Sequence, residues 1–140
     1  MLLLVSTNQV FSQMLSANAP ERKQLSAMGY EFDKEDADDT WSVASNGSNK
    51  IVVSRSDERL FISRWFTRRT LNEQDENELL KIVNQKNYDL AYQIVLMEDA
   101  VAVNLYDHGP YNSKNFSKLV RLIEKADIIF DDKFLKLIND

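Results

Sequence analysis

The apolar positions of this chain follow two rhythms, one helical and one of period two, and their order sketches an α+β fold. Val10, Phe11, Met14 and Leu15 recur at helical spacing behind Ser6 and Gln9, a capping-box pattern. A second helical piece begins at Pro20, which suits the first turn of a helix. It presents Leu25 and Met28 and stops at Gly29. The rhythm then shortens. Trp41 and Val43 alternate with Ser42 and Ala44, and Asn46-Gly47 marks a turn. Ile51-Val52-Val53 is β-branched, Asp57-Glu58 offers a weaker turn, and Leu60 to Phe66 is long and rich in aromatics. These three strands read as a meander, with Tyr30 and Phe32 either in a further short strand or packing a loop onto the core.

The helical rhythm returns at Thr70 and Glu73, a second capping box. Leu79, Ile82 and Val83 form its apolar stripe, and Asn84-Gln85-Lys86-Asn87 looks like its exit. Tyr92, Ile94 and Leu96, then Val101, Val103 and Leu105, alternate on either side of Glu98-Asp99 as a hairpin. From Asn112 or Ser113 a helix carries Phe116, Leu119, Val120, Ile123 and Phe130. Asp131-Asp132 breaks or re-caps it, and Phe134, Leu137 and Ile138 continue the stripe. The predicted order is α-β-β-β-α-β-β-α. It implies an antiparallel sheet of about five strands, with helices mainly on one face, in a single α+β domain over residues 1–140.

The stretch from Leu79 to Ile123 resembles the YbjN-like family of bacterial proteins. The resemblance is carried by Val83-Asn84-Gln85-Lys86-Asn87-Tyr88, the strand from Tyr92 to Met97, the acidic turn Glu98-Asp99, the strand from Val101 to Tyr106, and the helix from Phe116 to Ile123. The order of elements over the whole chain also resembles the type III secretion chaperone-like fold. Ala100 stands near the turn where a Gly is expected between acidic residues. The resemblance implies a protein-binding module that often pairs with itself, and it assigns no functional residue.

Composition narrows the chemistry. The 140 residues are 44% apolar and 28% charged, an ordinary globular balance, and Cys is absent. No disulfide, thiolate metal site or cysteine nucleophile is therefore possible. Leu2 to Val5 is too short an apolar run for a secretory signal, and no segment approaches the roughly 18 apolar residues that span a bilayer. A cytoplasmic location is expected. The formal net charge of −5 disfavours nucleic acid and anionic membrane.

Candidate chemistry is sparse. The sole histidine, His108, sits in the turn-rich Asp107-His108-Gly109-Pro110-Tyr111, with no nucleophile elbow to serve. Asp33, Glu35, Asp36, Asp38 and Asp39 crowd one stretch but lack the ligand spacing of a calcium loop. No enzyme activity, metal or cofactor is expected. Arg64, Trp65, Phe66, Arg68 and Arg69 mix stacking surface with phosphate-capable charge, so single-stranded nucleic-acid binding is the alternative. Against it, Phe61 and Trp65 are expected to face the core and Arg64 the solvent.

Helices on one face bury only one set of alternating strand residues, and the other set is too apolar to be left in water. The candidate partner surface is Leu60, Ile62, Arg64, Phe66 and Arg68 with Val95, Met97 and Tyr106. A second copy, giving a two-fold dimer, is its expected partner, unless Leu2 to Leu15 folds back over it. A chaperone-like module, a small regulator, or a phage or mobile-element protein that binds and inhibits a host protein would all show this pattern.

Overall fold

The computed structural model describes residues 19–33, 42–56, 59–89 and 92–139. The expected first helix, the acidic stretch beyond Asp33 and the turn at Asp57-Glu58 lie outside them. The fold is α+β, as the two rhythms predict. Among the described residues, six strands form one antiparallel sheet: β1 (Glu31–Phe32), β2 (Ser42–Asn46), β3 (Asn49–Ser56), β4 (Arg59–Thr67), β5 (Gln93–Leu96) and β6 (Ala100–His108). Their spatial order is β1-β2-β3-β4-β6-β5. The sixth strand is the short one at Glu31–Phe32, which pairs with Ser45 and Ala44.

Each helix is set by local chemistry. Helix α1 (Pro20–Ala27) begins on its proline. It ends as a Schellman motif: Gly29, at φ +93°, donates its N–H to Ser26, and Tyr30 donates to Leu25. Helix α2 (Glu73–Asp89) is capped by Asn72, whose side-chain oxygen accepts the Asp75 N–H at 2.8 Å. Thr70, the cap expected from the sequence, stands outside the helix. The helix also runs past its expected exit, because Lys86 and Asn87 find partners that keep the last turn in place. Helix α3 (Ser113–Glu124) is capped by Asn112, which accepts from Asn115 at 3.0 Å. A 3₁₀ turn (Ala126–Ile129) then breaks the stripe that reads as continuous in sequence. Asp131 re-caps helix α4 (Asp132–Asn139) by accepting the Phe134 N–H at 2.9 Å. That backbone bond, with the Lys86 ammonium at 3.2 Å, holds the Asp131 carboxyl below the usual carboxylate range.

The helices gather on one face of the sheet. Leu25 of α1 and Phe116, Val120 and Ile123 of α3 pack on Ile51, Val53, Leu60 and Ile62. Leu79 and Val83 of α2 join Phe134, Leu137 and Ile138 of α4 on Ile94, Val101 and Val103. The strand residues in both clusters belong to a single set of alternating positions, since paired residues of an antiparallel ladder share a face. No described helix is long and apolar enough to cross a membrane.

Candidate interaction face

The other set of alternating positions forms the second face, and among the described residues no helix packs on it. Its centre is polar and buried. Ser63 and Asn104 face each other across the β4–β6 ladder, and the Ser63 hydroxyl donates to Asn104 Oδ1 at 2.6 Å. Trp65 Nε1–H donates to that same hydroxyl at 3.0 Å, which leaves the indole lying along the sheet with 45% of the residue exposed. Phe61 lies on the other side of Ser63 and tilts against Tyr106, ring centroids 5.4 Å apart. The Tyr106 hydroxyl donates to Gln93 Oε1 at 3.0 Å, and the Arg59 guanidinium sits 4.7 Å above the Tyr106 ring. Val95, 38% exposed, extends the apolar surface toward the sheet edge. The result is a patch of aromatic and aliphatic surface around a satisfied polar pair.

Both sheet edges are protected, which puts the weight on the face. At one edge, β1 has only two residues. At the other, Asn87 of α2 turns its side-chain amide onto β5. Its Nδ2 donates to the Ile94 carbonyl at 2.9 Å and its Oδ1 accepts the Ile94 N–H at 2.6 Å. One side-chain amide thus occupies the N–H and carbonyl of Ile94, which a further strand would otherwise pair with.

The structure divides the residues singled out from the sequence. Val95 and Tyr106 lie on this open face. Leu60 and Ile62 are corrected: they are 1% and 0% exposed, in the core beneath the helices. Phe66 also points to the helix side, where it meets Phe130 edge-on at 4.7 Å. It lines a groove of about 470 Å³ together with Phe130, Leu135 and Ile138. Met97 is half-buried at the start of the β5–β6 turn. The phase of β4 is therefore opposite to the expected one: Phe61 and Trp65 face outward and Arg64 inward.

Arg64 points inward because the end of α3 needs it. Its Nη1 donates to the carbonyl of Glu124 at 2.7 Å and reaches that of Ile123 at 3.4 Å, placing a positive charge on the negative end of the helix. Tyr30 completes this node, its hydroxyl donating to Glu124 Oε2 at 2.8 Å. Burial, and then the carboxylate it bonds to, push that hydroxyl well above the ordinary tyrosine range. Burial alone raises Tyr92, whose hydroxyl donates to the Leu122 carbonyl at 2.9 Å.

Arg68, Arg69 and Arg55 are similarly engaged. Arg68, its side chain 5% exposed, donates from Nη2 to both Glu76 oxygens at 2.7 and 2.8 Å, while its buried Nη1 has no partner among the described residues. Arg69 binds the carbonyls of Lys136 and Leu137 at the end of α4. Arg55 pairs with the buried Glu21. Arg59, by contrast, stands on the open face with Phe61 and Ser63. Of the acidic stretch, Asp33 lies 3.8 Å from Lys50, and among the described residues no three His, Asp or Glu side chains gather as metal ligands.

Sequence reasoning missed Phe61, Ser63, Trp65 and Asn104. One signal was available: Asn104 interrupts the apolar run of β6 opposite Ser63, a polar pair that a sheet centre tolerates only when satisfied. No family model matches this chain, and no curated protein matches it either.

Proposed function

We propose that this chain is a non-catalytic protein-binding module, chaperone-like or regulatory, that works through its open sheet face. The observation that carries this reading is the patch of Phe61, Trp65, Val95 and Tyr106 on a face no described helix packs against. Large rings with a polar tip are the side chains that contribute most at protein interfaces. A neighbouring guanidinium adds charge that can select a partner. The chaperone-like part of the reading rests on the element order and on the Leu79–Ile123 pattern. Single-stranded nucleic-acid binding is the weaker reading, since Arg55, Arg64, Arg68 and Arg69 each bond a carboxylate or a backbone carbonyl within the chain.

A second copy is the simplest occupant of such a face. Light scattering after gel filtration at high micromolar concentration is expected to give twice the 16.2 kDa chain mass. Val95→Asp, which places a charge on the exposed face, is expected to return the mass to one chain. Its circular dichroism should match that of the parent, and its unfolding free energy, measured at a concentration low enough for both to be monomeric, should stay within about 0.5 kcal/mol of the parent's. A parent that is monomeric at that concentration, or a dimer indifferent to both Val95→Asp and Trp65→Glu, would defeat the assignment of this face.

A further inference from the structure

We propose that two copies pair face to face about a two-fold axis that runs across the strands, over the rung formed by Ser63 and Asn104. This rests on the reading of the open face given above and specifies how that face is filled. Ser63↔Asn104 is the middle rung of the β4–β6 ladder, which extends from Arg59↔His108 to Thr67↔Ala100. An axis across the strands at that rung turns each strand end for end above its own copy. Positions equidistant from the rung then meet. Tyr106 comes over the partner's Ala102, Phe61 over the partner's Trp65, and Arg59 over the partner's Thr67.

Shape and charge both favour this arrangement. Ala102 is short and buried, so the half-buried Tyr106 ring meets a low point of the opposing sheet. The two ends of the ladder differ in sign. Arg59 is exposed at one end, while the exposed Glu98 and Asp99 form the β5–β6 turn at the other, next to the Thr67↔Ala100 rung. End-for-end pairing brings each guanidinium to the partner's carboxylates, twice by symmetry. The alternative two-fold axis, along the strands, keeps like ends together. It would bring the two Arg59 guanidiniums to one end of the interface and crowd Phe61 and Tyr106 against the same rings of the other copy. Aligned sheets pack about 10 Å apart, so a short linker spans the interface and a direct disulfide does not.

The natural chain has no cysteine, so each introduced one reports a single site. Gln93 is exposed and lies level with Asn104, on the line of the axis. Thr67 and His108 are exposed at opposite ends of the ladder. With a short bismaleimide, Gln93→Cys alone should form a covalent dimer. Thr67→Cys alone and His108→Cys alone should not, whereas an equimolar mixture of the two should. Self-cross-linking of either end variant, with no gain on mixing, would overturn the axis while leaving the dimer in place. So would a dimer that none of these variants cross-links. A monomeric parent by light scattering would overturn the pairing itself, together with the self-association proposed above.

Discussion

Arg55→Ala is expected to cost the fold about 3 kcal/mol, near the bottom of the range for removing one partner of a buried ion pair. Glu21 sits in the first turn of α1 with 1% of its surface exposed, and Arg55 Nε donates to its Oε2 at 2.5 Å while Nη2 reaches the same oxygen. Truncating Arg55 leaves a carboxylate that the interior cannot solvate. The loss should stay modest within that range because the Arg55 side chain is 27% exposed and its removal admits water. Glu21→Gln in the Arg55→Ala background should recover part of the loss, since a neutral amide costs less to bury than a charge. Urea denaturation of the two single variants and the double variant gives the coupling. A loss below about 1 kcal/mol for Arg55→Ala would place the pair with ordinary surface ion pairs and sink this account of it.

Phe134→Ala should cost more, about 3–5 kcal/mol, the range for truncating a buried aromatic. Phe134 is fully buried, stacks on Phe130 with ring centroids 4.7 Å apart, and shares its cluster with Leu79 and Val83 of α2. Helix α4 has 8 residues, too few to hold its shape without tertiary contacts. Its attachment therefore depends on this one ring more than on its own hydrogen bonds. Tryptic cleavage at Lys133 and Lys136 should accelerate in Phe134→Ala. Leu135→Ala, at a half-buried neighbour that lines the groove, should change both stability and cleavage little. Equal effects from the two substitutions would show that α4 is held by something other than its buried face.

The fold was legible wherever periodicity and sterics point the same way. Pro20 and Gly29 bracket α1, Val101 to Leu105 alternate as a strand, and Asp131 announces a new helix start. What sequence could not decide was the phase of β4. Leu60 and Ile62 on one side and Phe61 and Trp65 on the other are equally apolar, so alternation alone does not say which side is buried. Arg64 points to the wrong side. A charged side chain suggests solvent, unless a helix end lies beyond the strand to receive it, and that end comes from residues far along the chain. The same blindness hid the cap at Asn72, where Thr70 offered an equally good local pattern. It also hid Asn87, whose role exists only because β5 lies beside it.

The strand order carries a consequence for how the chain folds. β2, β3 and β4 are neighbours in sequence and in space, as are β5 and β6, so each group can form by short-range closure. The β4–β6 ladder is different, since its rungs join segments separated by all of α2 and β5. Closing that distance costs chain entropy before any rung returns it. The ladder should therefore be the step that limits refolding. Conservative substitutions along it, such as Val103→Ala, should slow refolding in stopped-flow measurements, whereas Leu137→Ala in α4 should mainly speed unfolding. The rung that the proposed dimer axis crosses would then also be part of the last barrier a single chain must pass.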